Sequence, residues 1–217
     1  NKMDKWMKLF GLGEFSGIDL PGEEKGYRSN RENKMLLRQD PSDQIWFPAD
    51  TAQTAIGQFD NKYTILQLAR YTAAIATGEL VMPHVIREIS GNSGIVLHSG
   101  RFSNQPIPVK KSTLEQVTKG MIEVTNYGTV RRTFEGFPVT VASKTGTAET
   151  GHEDRSSSNA LFICFAPAHN PEVAIAQIVE KGFWGSNTIS IAYDLLAEYF
   201  GPDKSIEYET VVIPVLD

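Results

Sequence analysis

Cysteine is almost absent from this sequence: of 217 residues only Cys164 is one, so no internal disulfide can form. Within the apolar run 160–168 that residue reads as a small buried hydrophobe, and cysteine usage leaves the compartment open. The same nine-residue run, broken by Pro167, is the longest apolar stretch in the chain. It is far short of the roughly 20 residues that a membrane-crossing helix needs. Positive charge is not in excess either, since 21 Lys and Arg against 26 Asp and Glu leave a net charge of −5. That balance gives no global field to attract nucleic acid or an anionic bilayer. The histidines His84, His98, His152 and His169 are scattered without the spacing of metal ligands, so no metal is expected, and no cofactor is implied. The opening residues Asn1 to Trp6 lack an apolar core followed by a small-residue cleavage site and read as the middle of a helix.

What is present belongs to a globular protein. Hydrophobic residues make up 41% and charged residues 22%, which is enough apolar material for one substantial core at this length. Met3, Trp6, Met7 and Phe10 recur at helical spacing before Gly11 and Gly13. Residues 15–47 are irregular, with the polar run 28–34, and read as a long surface excursion. A short helix is expected over 48–56, closed by Gly57. Thr64-Ile65-Leu66-Gln67 forms a capping-box pattern ahead of a helix that is apolar on most sides, so buried, and ends at Gly78.

Two alternating runs, 85–89 and 95–98, flank a turn-rich Gly91-Asn92-Ser93-Gly94 and predict a hairpin. Ser112-x-x-Glu115 suggests a second capping box before the stripe Leu114, Val117, Met121 and Val124. Three strand-like segments follow at 139–147, 160–165 and 173–179. A final helix over 188–200 carries Ile189, Ala192, Leu195, Leu196 and Tyr199 on one face and stops at Gly201-Pro202. Strands grouped together with helices before and after them predict an α+β layer rather than alternating βαβ units.

The string Ser143-Lys144-Thr145-Gly146-Thr147-Ala148 carries the chemistry. On a strand at a sheet edge, Lys144 and Gly146 face one side while Thr145 and Thr147 share the other. Glycine admits close approach of a ligand to the backbone, and such an edge can receive an extended peptide by strand addition. Other patterns are weaker. Gly11-x-Gly13-x-x-x-Gly17 follows a helix rather than a strand and misses the dinucleotide spacing, and Lys144-Thr145 lacks the upstream glycine of a phosphate loop. Glu149, Glu153 and Asp154 read as a solvated loop after the strand, and Arg131-Arg132 as a solvated turn.

Lys-Thr-Gly is one of the motifs of penicillin-binding proteins and serine β-lactamases. With Gly17-Ile18-Asp19-Leu20-Pro21, Ala55-Ile56-Gly57-Gln58, Leu66-Gln67-Leu68-Ala69, Gly136-Phe137-Pro138-Val139 and Phe165-Ala166-Pro167 in the same order, the chain resembles the later part of a class B penicillin-binding protein, a peptidoglycan D,D-transpeptidase. Two positions depart from the family's pattern: Phe59 stands where a third glycine is common, and Ser143 precedes the lysine where glycine is usual.

The resemblance implies an antiparallel sheet flanked by helices, with residues 1–217 forming the C-terminal part of one transpeptidase domain. Residues 1–104 would hold the helical part, surface loop and hairpin, and 105–217 the amphipathic helix, the Lys-Thr-Gly strands and the terminal helix. It implies substrate binding by Lys144, Thr145, Gly146 and Thr147, with the Thr147 backbone N–H as an oxyanion donor. Peptidoglycan stem peptides and β-lactams are the ligands it implies, no nucleic acid is expected, and cell-wall synthesis proteins are possible partners. The parent protein would be anchored in the cytoplasmic membrane with this domain outside, and the fragment itself soluble.

No serine in the chain has a lysine three positions on, so the family's Ser-x-x-Lys nucleophile is expected to lie upstream of Asn1, and the chain alone to be inactive. Ser157-Ser158-Asn159 follows the Lys-Thr-Gly instead of preceding it and is read as a loop. The segment 172–180 is expected to have an open edge, which is an aggregation template unless another chain, the missing N-terminal half or the tail at 210–213 covers it. Two alternative readings keep the motif: a noncatalytic peptide-binding module, and a D,D-carboxypeptidase or β-lactamase-like hydrolase.

Overall fold

The computed structural model describes residues 2–91, 96–99, 103–150 and 158–201. Helices α1 (Lys2–Leu9), α2 (Arg31–Leu37), α3 (Pro48–Ala55) and α4 (Ile65–Thr77) come first. Short strand pairs follow: β1 (Glu79–Leu80) with β4 (Gln105–Pro106), and β2 (Glu88–Ser90) with β3 (Val96–Ser99), each antiparallel. Then come α5 (Lys111–Tyr127) and α6 (Arg131–Phe134), the strands β5 (Ala142–Ala148), β6 (Asn159–Ala166) and β7 (Val173–Val179), a 3-10 turn at Gly185–Thr188, and α7 (Ile189–Phe200).

The three long strands form one antiparallel sheet in the order β5-β6-β7, with Lys144 opposite Ile163 and Thr147 opposite Ala160. Because strand side chains alternate, the sheet builds two cores. Val141, Phe162, Cys164 and Ala166 pack on one face with Val130, which caps α6, with Phe134 of α6 and with Ile189, Ala192 and Leu196 of α7. Ala142 and Phe165 pack with Ile75 of α4 and Met121 of α5 on the other. Phe162 is fully buried, and truncating such a side chain typically costs about 3–5 kcal/mol. The mixed α+β class expected from the order of elements is therefore the one observed.

Local signals account for several boundaries. Thr64 accepts a hydrogen bond from the Gln67 N–H at the start of α4, and Gly78 closes the helix in the left-handed region at φ 79°. No residue from Tyr63 to Ala76 is exposed, as its apolar sequence requires. The Gln67 side chain does not reach back to the cap, however. Fully buried, it accepts from the Gly13 N–H at 3.0 Å and donates to the Glu14 and Lys25 carbonyls, each at 2.8 Å, pinning the first loop to α4.

Four expectations are corrected. The polar run 28–34 is not a solvated excursion: Asn30 caps α2, accepting from the Asn33 N–H, and Arg28 is buried with Asp4 and Glu14 while Lys34 is buried with Asp50. The second capping box does not form, because α5 begins at Lys111 with Lys110 at its cap and Ser112 already lies inside the first turn. Val117 is exposed, as are Leu195 and Tyr199; the sheet covers a narrower stripe of α5 and α7 than their apolar residues span. The hairpin strands begin at Glu88, three residues later than expected, since the Val85 and Ile86 N–H groups are claimed by the Asp19 carboxylate at 2.7 and 2.8 Å. The turn residues 92–95 and the tail 210–213 lie outside the described residues. Among those described, β7 has one ladder neighbour, β6.

Candidate functional site at the Lys-Thr-Gly strand

β5 is a terminal strand of its sheet, and the sequence Ala142–Ala148 falls on it so that burial drops along its length. Ala142 and Ser143 are fully buried, whereas Lys144 and Thr147 are exposed. Ser143 anchors the buried end through its hydroxyl, which lies 2.8 Å from that of Thr125 on α5. The strand thus leaves the core at Lys144 and meets solvent with its Thr-Gly-Thr portion.

The four predicted site residues have different surroundings. Lys144 donates from its ammonium to the Thr145 carbonyl at 2.7 Å. The Thr145 hydroxyl lies 3.4 Å from that of Thr129, and the Thr147 hydroxyl accepts from the Gly185 N–H at 3.2 Å. Gly146 and Thr147 border a cavity of about 730 Å³ together with Leu161, Ile178, Tyr63 and Gln58. Lys144 is not among the residues lining that cavity.

Gln58 bridges the α3–α4 connection to the strand by donating to the Thr147 carbonyl at 3.4 Å. Sequence reasoning gave neither Gln58 nor Gly185 a place at this strand. Gln58 lies 89 residues from its partner, and no local pattern reports such a pairing. A second, smaller cavity of about 220 Å³ lies between Thr147, Glu149, Ser158 and the exposed aromatics Phe183 and Trp184.

The connection that presents Gln58 has its own scaffold. The Lys34 ammonium, nearly fully buried, donates to Asp50 and to the Ile45 carbonyl, both at 2.6 Å. Burial pushes the Asp50 carboxyl up, but hydrogen bonds from Lys34 and the Phe47 N–H outweigh it and hold that group below the usual carboxylate range. Phe59, the residue after Gln58, sits in the left-handed region at φ 66°. Its ring faces Lys34 at 5.3 Å and Arg38 at 5.7 Å and meets Trp46 edge-on. A glycine at this position relieves backbone strain, which is the physical sense of the departure noted at Phe59.

Cys164, fully buried on β6, has its thiol pushed up to about 12 by burial. Among the described residues, no group of three or more His, Cys, Asp or Glu side chains is arranged to hold a metal. No described helix is long and apolar enough to cross a membrane. His152, Glu153, Asp154 and Ser157 lie outside the described residues.

An antiparallel sheet with helices on both faces and a Lys-Thr-Gly strand at its margin defines the β-lactamase/transpeptidase class of fold. The model of the penicillin binding protein transpeptidase domain matches residues 1–197. The chain belongs to that family, as the order of its motifs implied.

It is similar to the peptidoglycan D,D-transpeptidase MrdA of Acinetobacter baumannii, with 34% identity over 208 residues, covering 88% of this chain and 30% of that protein. Among solved structures it is similar to Pseudomonas aeruginosa PBP2 in complex with WCK 5153, with a TM-score of 0.78, 28% identity, and coverage of 96% of this chain and 46% of that one. It is also similar to the Helicobacter pylori penicillin-binding protein PBP2 in its complex with MreC, with a TM-score of 0.74, 30% identity, and coverage of 92% and 36%. The chain therefore spans less than half the length of these relatives.

Proposed function

We propose that this chain is the carboxylate-binding wall of a peptidoglycan D,D-transpeptidase, which cross-links stem peptides through an acyl-serine intermediate and is acylated by β-lactams. The observation that carries the reading is the Lys144-Thr145-Gly146-Thr147 segment, with Lys144 and Thr147 exposed, on a terminal strand beside a cavity large enough for a peptide end.

Residue by residue, Lys144 supplies the charge that attracts the terminal carboxylate, and the hydroxyls of Thr145 and Thr147 bind it. Gly146 lets the peptide lie close to the strand. In an antiparallel strand a residue's N–H and C=O leave on the same side. The Thr147 carbonyl receives Gln58 from outside the β5-β6 ladder, so its N–H points the same way, where an oxyanion donor is required. The Lys144 ammonium leaves the Thr145 carbonyl to reach the ligand, a short movement for an exposed four-carbon side chain.

The nucleophile of this reaction is a Ser-x-x-Lys serine supplied from outside the 217 residues, none of whose serines has that spacing. In this reading, residues 1–217 are the later part of one transpeptidase domain. The whole protein is held in the cytoplasmic membrane with this domain on its outer side, working among cell-wall synthesis proteins as the relative complexed with MreC does.

The test is covalent labelling with a fluorescent penicillin. The 217-residue chain stays unlabelled, while the longer protein that carries the nucleophile is labelled. Lys144→Ala in that longer protein slows acylation about 10- to 100-fold, the range for loss of one charge-assisted hydrogen bond. Labelling of the isolated chain, or equal acylation rates for Lys144→Ala and its parent, overturns the reading.

A further inference from the structure

We infer that Gly185 is a positioning residue for Thr147, fixing that hydroxyl as a hydrogen-bond donor toward an anionic ligand. The inference rests on the carboxylate-binding reading above and deepens it.

After β7 the chain returns across the sheet through Lys181–Trp184 and enters the 3-10 turn at Gly185. Here the backbone of the turn lies directly against the backbone of the Lys-Thr-Gly strand. A Cβ on Gly185 falls onto the Gly146 carbonyl oxygen and within 2.9 Å of the Gly146 nitrogen and the Leu161 carbonyl. These neighbours are backbone atoms of two paired strands, so none of them can swing aside. Gly185 is not in the left-handed region, and its conformation by itself admits a side chain. Contact with the strand is what excludes one.

The close approach delivers the Gly185 N–H to the Thr147 hydroxyl at 3.2 Å. A threonine hydroxyl has one hydrogen to donate and two lone pairs to accept with. With the Gly185 N–H taking a lone pair, the hydroxyl hydrogen is left to point outward, and a carboxylate, which only accepts when ionised, is the matching partner.

The turn itself is held from several sides. Asn187 donates from its backbone N–H to the Trp184 carbonyl at 2.8 Å and from its side chain to the Gly182 carbonyl at 2.9 Å. The fully buried Thr188 donates to the Gly185 carbonyl at 3.1 Å, and the Gln177 side chain of β7 donates to the Thr188 carbonyl. The donor that orients Thr147 is therefore mounted on rigid structure, as pre-organised recognition requires.

The experiment compares acylation of the nucleophile-bearing protein by benzylpenicillin and by its carboxylate methyl ester. Gly185→Ala slows the free acid about tenfold more than it slows the ester, the scale of one hydrogen bond, since the added Cβ also presses on the strand that both substrates use. In a Thr147→Val background, Gly185→Ala slows acid and ester alike. Equal slowing of acid and ester in the parent, or a loss specific to the acid that persists in the Thr147→Val background, overturns the inference by reducing Gly185 to a packing role.

If Thr147→Val leaves the acid rate intact, it is the carboxylate-binding reading of Thr147 that fails. If Thr147→Val slows the acid and Gly185→Ala does not, only the present inference fails. Should Gly185→Ala not fold, hydrogen exchange of the Gly185 amide decides: it exchanges faster in Thr147→Val than in the parent, and unchanged exchange overturns the inference.

Discussion

The hydroxyls of Ser143 on β5 and Thr125 on α5 stand 2.8 Å apart, both residues buried, and Ser143 lies one residue ahead of Lys144. The pair fastens the end of the strand from which the site emerges. It also gives a physical role to the residue that departs from the family's usual glycine.

The two members of this pair are not equivalent. Thr125 also reaches the Met121 carbonyl at 3.4 Å, so Ser143→Ala leaves it a partner, and a loss of about 1 kcal/mol is expected. Thr125→Val leaves the buried Ser143 hydroxyl unpaired, and a larger loss of about 1–3 kcal/mol is expected. The double variant is no less stable than Thr125→Val alone. Urea unfolding of the three variants checks the order, and additive losses refute the pairing.

Phe59 combines a left-handed backbone with a ring packed against Trp46, Lys34 and Arg38. Removing the ring with Phe59→Ala loses those contacts and keeps the strained backbone. Phe59→Gly loses the same contacts and relieves the strain. The glycine variant is therefore expected to be the more stable of the two by about 1 kcal/mol, despite its more flexible unfolded chain. Equal thermal midpoints for the two variants would show that the backbone carries no strain.

Asp50 makes the helical part sensitive to acid. Its folded carboxyl is held below the ordinary range, so it binds a proton less readily in the native state than in the unfolded chain. The stability it contributes is fully present above the unfolded carboxylate range and is lost as pH falls through the folded value. Asp50→Asn leaves the buried Lys34 ammonium without its counter-charge and destabilises the neutral-pH protein by about 3–5 kcal/mol. Denaturant titrations from about pH 7 to about pH 3 are expected to show the gap between variant and parent narrowing as pH falls. A gap that widens assigns the shift the wrong sign.

How much of this was legible in the sequence follows from the range of each interaction. Thr64 and Gly78 were readable because a cap and its helix are neighbours in the chain, and the alternation of β5 was readable because its period is local. The burial of Arg28 was not, since Asp4 and Glu14 lie 24 and 14 residues away and the run 28–34 looks solvated without them. Ser112 matched a capping pattern but lies two residues past the cap position, inside the first turn. Leu195 and Tyr199 carry the right periodicity for a core face, but the width of that face is set by the sheet beneath α7 rather than by the helix. At the site, the motif located the strand; Gln58 and Gly185, which meet it from distant segments, became visible only when the chain was folded.

A strand with one side of its ladder vacant is an indiscriminate partner: any extended chain can zip onto it, including another copy of itself. Lysine on a bordering strand is a common safeguard against such self-polymerisation, and β5 places one where the strand emerges from the core. Two copies laid margin to margin set ammonium groups close together, whereas a single guest with an anionic tail neutralises the one it meets. Lys144 in this way discourages the molecule from extending its own sheet.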